Sequence, residues 1–174
     1  MHTAEHILNG TMVKMFGCGR AVSAHVERTK SKLDYDFPRA LTAEEVSAVE
    51  ARVNEVIAAD MPVTFSFVTQ QEAADRFDLK RLPDGASDVV RVVSVGNYDH
   101  CLCAGDHVAH TAEIGAFRIS STRYKDGRLR LVFPPQLNKS RILKSKSHDE
   151  EDIIGGVRFD AGGAIESCAE REKS

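Results

Sequence analysis

The sequence predicts an α+β fold, an antiparallel or mixed sheet packed by helices, and three observations carry that expectation. Two segments place apolar residues at helical spacing between recognisable start or stop signals. Several short runs alternate or are rich in β-branched residues, the clearest being Val89-Val-Arg-Val-Val-Ser-Val95. Between two such runs lies Lys125-Asp-Gly127, a hairpin signal of the Asp-Gly type.

Taken in order, residues 2 to about 16 read as an amphipathic helix with Ile7, Leu8, Met12, Val13, Met15 and Phe16 apolar, stopped by Gly17-Cys-Gly19. A weaker extended segment over 21–27 leads through residues 28–31 to Lys32-Leu-Asp-Tyr-Asp-Phe37, whose strict alternation is that of a half-buried strand ended by Pro38. Thr42-Ala-Glu-Glu45 is a capping-box signature. Val46, Val49, Val53, Val56 and Ile57 then carry a helix to about Ala59. After Pro62 comes a β-rich run over 63–68. A second capping box, Thr69-Gln-Gln-Glu72, opens a brief helix through Arg76, and residues 77–88 read as a loop carrying Lys80 and Arg81. The Val-rich strand at 89–95 is followed by strands over 116–124 and 128–133, and Pro134-Pro135 closes the unit. Residues 1–135 are read as one domain. Residues 136–174 change character: Lys/Ser-rich, then acidic at Asp149-Glu-Glu-Asp152, with two Gly-Gly pairs, they read as a tail.

Composition bounds the function. A formal net charge of -3 with 28% charged residues argues against an opportunistic polyanion binder, so contact with RNA must come from local basic clusters. No apolar run reaches the ~18 residues of a membrane span, and the N-terminus lacks a basic and apolar signal region, which predicts a soluble cytoplasmic protein. Cys18, Cys101, Cys103 and Cys168 are too few and too irregular for a disulfide framework, so metal ligation is the more economical use of a reduced thiol.

Two pairs suit that use. His2-Thr-Ala-Glu-His6 puts imidazoles at i and i+4 on one helix face, and Cys103-Ala-Gly-Asp-His107 puts a thiol and an imidazole four residues apart beside glycine. Together His2, His6, Cys103 and His107 make a four-ligand zinc set. The plain alternative is that the histidines are solvated or cap a first helix and that Cys103 is a small buried hydrophobe. Cys101, two residues before Cys103, would share its face in a strand and compete as a ligand.

His2-Thr-Ala-Glu-His6 with Ile7-Leu8-Asn9, then Cys103-x3-His107, then Thr111-Ala-Glu-Ile-Gly115-Ala-Phe-Arg-Ile119, resembles the editing domain of alanyl-tRNA synthetase and its short free-standing relatives, the AlaX proteins. The resemblance is ordered and spans residues 1 to about 133. Ala104, Asp106 and Ala112 depart from the family's usual residues without removing a ligand. The resemblance implies the α+β editing fold of the threonyl/alanyl-tRNA synthetase second additional domain. It further implies one Zn2+ per chain and zinc-dependent hydrolysis in trans of mischarged tRNA(Ala), foremost Ser-tRNA(Ala), with tRNA rather than DNA or membrane as partner. A catalytic zinc needs an open position at which it lowers the pKa of water toward ~7, whereas a closed tetrahedron is structural.

Sparing the alanyl ester while cleaving the seryl ester requires a polar group that reads one hydroxyl. Ser23 falls where free-standing family members place a threonine with such a role, and His25 shares its face if the segment is extended. Backbone N–H groups near Gly105 or Gly115 are candidate oxyanion donors. His100 and His110 are read as surface or supporting residues, and Glu113 as a hydrogen-bond support for a ligand. Lys30, Lys32, Lys80, Arg81, Arg123, Lys125 and Arg128 are phosphate-contact candidates, although charged hairpins and loops are usually just solvated. Two other readings stand beside the hydrolase: a non-catalytic, zinc-stabilised module that binds tRNA or a synthetase, and a threonyl-type editing domain.

Overall fold

The computed structural model describes residues 1–27, 29–77, 79 and 87–135. Arg28, Lys80, Arg81, Cys168 and the 136–174 tail lie outside the described residues.

Helix α1, His2–Phe16, is buried over most of its first three turns. Ala4, Ile7, Leu8 and Met12 are fully buried, but so are Thr3, His6, Asn9 and Thr11, so the helix is enclosed on more than one side. Its polar groups are correspondingly paired. Thr11 Oγ1 donates to the Ile7 carbonyl at 2.8 Å and lies 2.9 Å from the Tyr98 hydroxyl, while Asn9 Oδ1 accepts the Ala21 N–H at 2.8 Å. Gly17 ends the helix with φ 63°, its N–H bonded to the Val13 carbonyl, the left-handed cap that glycine adopts without strain. Gly10 has a different reason. A Cβ there would lie 3.2 Å from Asp99 Oδ1 and 3.3 Å from the Tyr98 ring, so the absent side chain lets the helix approach the neighbouring sheet closely.

Among the described residues two separate antiparallel sheets flank this helix. The first contains β1 (Ser23–Val26), β2 (Ser31–Asp36), β6 (Ser121–Lys125) and β7 (Arg128–Phe133) in the order β1-β2-β7-β6. The second contains β3 (Val63–Thr69), β4 (Val89–Val95) and β5 (Asp99–Leu102) in the order β3-β4-β5. The expectation of an antiparallel or mixed sheet thus resolves, among the described residues, into two sheets with no parallel pair.

Leu33 and Tyr35 of β2 face Leu131 and Leu129 of β7 in register, and all four are fully buried with Phe133. Asp34 breaks the simple alternation because Arg130 on β7 grips both its carboxylate oxygens, at 2.7 and 2.8 Å. Helix α2, Ala43–Ala58, closes the core with Val49, Val53, Val56 and Ile57. Both expected capping boxes form, Thr42 with Glu45 and Thr69 with Glu72, the latter opening α3 at Gln70–Ala74.

The strand expected from residue 116 starts instead at Ser121. Asn54 of α2 holds the Phe117 N–H and C=O at 2.8 and 2.9 Å, and Glu50 takes the Ile119 N–H, so side chains of α2 satisfy backbone groups that would otherwise pair in a ladder.

Candidate metal centre

Helix α1 and strand β5 carry the donors to one place. His2 and His6 sit one turn apart on α1; Asp99 and Cys101 lie on β5, and the chain beyond it supplies Cys103 and His107. One donor atom each from His6, Cys103 and His107 lie within 4.8 Å of one another. The Nε2 atoms of His6 and His107 are 3.4 Å apart. Two nitrogens bound at about 2.05 Å to one tetrahedral ion would stand about 3.3 Å apart, so the separation suits a shared metal. His2 stands farther off: its Nδ1 is 3.9 Å from Cys103 Sγ, and its ring centroid is 5.9 Å from that of His107, against 4.8 Å between His6 and His107.

The protonation states fit ligation. Burial lowers the pKa of His2 and His107, and it drives that of His6, reinforced by His107, to about 3. The imidazoles are therefore neutral and keep a free lone pair at ordinary pH. His107 Nδ1 lies 2.9 Å from the Gly105 carbonyl, which can only accept, so the proton sits on Nδ1 and Nε2 is left free toward His6. Burial raises the Cys103 thiol, so metal binding there releases a proton.

Arg91 holds the loop that carries these donors. Its Nε donates to the Cys103 carbonyl at 2.8 Å and its Nη2 to the Gly105 carbonyl, while its guanidinium lies 5.7 Å from the Phe65 ring. No motif pointed to Arg91; a lone charge inside Val89–Val95 was the available signal. Gly105 lets the His2 ring approach closely, since a Cβ on it would lie 2.6 Å from that ring and could be admitted only if the ring moved. Beside the cluster opens a cleft of about 500 Å³ lined by Val63, Phe65, Arg91, Gly105, Asp106 and His107, with Val108 and Ala109.

A second donor group overlaps the first. Cys101 Sγ lies 2.8 Å from His6 Nδ1 and 3.5 Å from its Nε2, and Asp99 completes a trio with them. Arg20, however, forks onto Asp99 at 2.5 and 3.1 Å, placing a cation against its carboxylate. Burial also raises the Cys101 thiol strongly. The trio is a poorer cation site than His6, Cys103 and His107 for both reasons.

Other expected residues fall elsewhere. Ser23 and His25 face each other at 3.3 Å on the edge strand β1, and neither hydrogen-bonds to the cluster among the described residues. The Gly115 N–H donates to the Ala112 carbonyl at 3.3 Å as the 3₁₀ turn Thr111–Ile114 ends, at φ 79°. The Gly105 N–H points at Cys103 Sγ, 3.4 Å away. Glu113, expected to support a ligand, accepts the His110 N–H and caps the 3₁₀ turn, while Gly105 supports His107. His100 and His110 are exposed, beside Ser94 and Asp60.

Residues 90–132, from β4 to β7 and thus including Arg91, Cys103 and His107, match the family model of the threonyl and alanyl tRNA synthetase second additional domain. An alanine–tRNA ligase of Fervidobacterium nodosum is 35% identical over 152 residues, 86% of this chain and 17% of that protein. The chain is an editing-domain-like relative of alanyl-tRNA synthetase. Ligases from Neisseria gonorrhoeae and Staphylothermus marinus align at 29% and 34% identity over 98% and 91% of the chain. The chain thus spans about a fifth of the length of these alanyl-tRNA synthetases, 21% and 18% respectively. Among the described residues of this editing-domain relative no helix is long and apolar enough to cross a membrane.

Proposed function

We propose that the chain is a cytoplasmic hydrolase that removes the wrong amino acid from mischarged tRNA(Ala), foremost serine, acting in trans with one zinc ion held by His2, His6, Cys103 and His107. The observation that supports this most is the convergence of His6, Cys103 and His107 within 4.8 Å beside an open cleft. When bound, zinc supplies Lewis-acid activation of a water and of the ester carbonyl.

The chain's own residues prepare that chemistry. The Gly105 carbonyl fixes the His107 tautomer, and Arg91 fixes the loop on which Cys103 and Gly105 stand. A catalytic site needs one place free for substrate, and His2, the most loosely set donor at the first residue of its helix, is the one to yield it. Ser23, backed by His25, is the proposed reader of the seryl hydroxyl, and Gly105 lines the cleft that takes the aminoacyl group.

The second reading, a zinc-stabilised tRNA- or synthetase-binding module, is favoured by one observation: the donors pin α1 to the segment after β5, as a structural metal would. Cys103→Ala separates the two. Loss of Ser-tRNA(Ala) cleavage with an unchanged circular dichroism spectrum and melting point supports the hydrolase; unfolding of the variant, or of wild type on chelation, supports the structural role.

A further inference from the structure

Strand register places an unused aromatic wall on the face that carries the thiol donors. In an antiparallel ladder, directly opposed residues project to the same side. One row across the three-stranded sheet therefore reads Phe65, Val93, Cys101, and the next joins Phe67 to Arg91, whose carbonyl receives the Cys103 N–H. At about 4.8 Å between strands, the phenylalanines stand roughly 10 Å from the cysteines on one continuous face. Phe65 and Phe67 are 63% and 65% exposed, the most exposed large apolar side chains among the described residues. Their rings meet edge to face at 6.3 Å, and Phe65 lines the same cleft as His107 and Gly105. A scattered exposed Leu or Val is ordinary, whereas two bare aromatic rings beside a donor cluster mark a binding surface.

We infer that Phe65 and Phe67 form the stacking platform for the 3′-terminal adenine of the aminoacyl-tRNA. The inference rests on the proposed ester hydrolysis. The scissile ester joins the amino acid to the terminal ribose, so an ester seated at the donor cluster carries its base within one nucleotide's reach, on the same face. Every base offers a π-face, and exposed aromatic rings are the usual partners of unpaired bases. Arg91, whose guanidinium lies 5.7 Å from the Phe65 ring, ties this wall to the loop carrying Cys103. Base seating and donor placement are thus joined through one side chain.

The test is binding of the trinucleotide CpCpA and of its analogue lacking the terminal base, titrated by NMR against the full chain. Wild type is expected to bind CpCpA about tenfold tighter than the abasic analogue, the lower range of one base–aromatic stack. Phe65→Ala, Phe67→Ala and Phe65→Leu should abolish that preference with an unchanged fold by circular dichroism, while Phe65→Trp keeps it. The same Ala variants should raise KM for Ser-tRNA(Ala) about tenfold.

Equal binding of the two trinucleotides, no binding of either at millimolar concentration, or Ala variants that keep the preference would each overturn the assignment. So would a wild-type dimer, seen by light scattering, that Phe67→Ala dissociates, because a second copy would then cover the face. Failure here with Ser-tRNA(Ala) cleavage intact leaves the hydrolase standing. Base-dependent CpCpA binding without cleavage would leave the nucleotide face without the chemistry.

Discussion

Acidifying the metal-free protein should destabilise it well before its carboxylates titrate. His6 is 1% exposed, and burial holds its imidazole neutral down to about pH 3, against an ordinary value of 6.5. The unfolded chain therefore takes up a proton near pH 6.5 that the folded chain refuses. The stability this preserves is complete above 6.5 and falls as pH drops toward 3. At pH 5 the unfolded state gains 6.5 minus 5 units, which at 1.36 kcal/mol per unit is about 2 kcal/mol from His6 alone. His2 and His107, also shifted down by burial, add in the same direction. Urea unfolding in the presence of EDTA at pH 7.5, 6 and 5 measures it. The midpoint should fall steadily at constant slope, and His6→Gln should flatten the dependence by about the His6 share. Equal stability of wild type at pH 7.5 and 5, or a full slope retained in His6→Gln, would refute the reasoning.

Three further outcomes follow from single side chains. Arg91→Lys cannot fork onto the Cys103 and Gly105 carbonyls, so zinc affinity by competitive chelator titration should fall about 10- to 100-fold with the fold intact. Gly105→Ala puts a methyl 2.6 Å from the His2 ring; being at a helix start, that ring should swing away, and X-ray absorption should count one fewer histidine on bound zinc while the melting point moves little. The Tyr35 hydroxyl is fully buried with no hydrogen-bond partner among the described residues. Tyr35→Phe should therefore be neutral or stabilising, by up to about 1 kcal/mol in urea, and a loss of more than that would reveal a partner for the hydroxyl.

Much of this molecule was legible because its signals are local. Thr42 and Thr69 form the capping boxes their spacing implies, Gly17 caps α1, and the Val-rich strand forms where expected. The i and i+4 histidines share a helix face, and Cys103 and His107 come to them, since each pair needs only one helix or one loop to present it. What escaped depends on tertiary neighbours. Residues 116–120 have a strand's composition, but Asn54 and Glu50 bind their backbone from a distant helix. The division into two sheets is fixed by pairings across up to about a hundred residues, which no local pattern encodes. Arg91 is a clamp only because the loop after β5 folds onto it. Cys101 meets His6, nearer than its spacing to His107 suggested, because β5 packs against α1. Phe65 and Phe67 lie in a β-rich run whose local pattern does not say which face is covered, and their exposure shows only once the register is known.

The most direct test of the central claim is hydrolysis by the purified, zinc-loaded chain of Ser-tRNA(Ala), Gly-tRNA(Ala) and Ala-tRNA(Ala), each charged beforehand by a separate synthetase, with His6→Ala alongside. Rapid loss of the seryl ester, a spared alanyl ester and no cleavage by a folded His6→Ala variant are expected. A folded wild type binding one zinc per chain that leaves all three esters intact would contradict the claim.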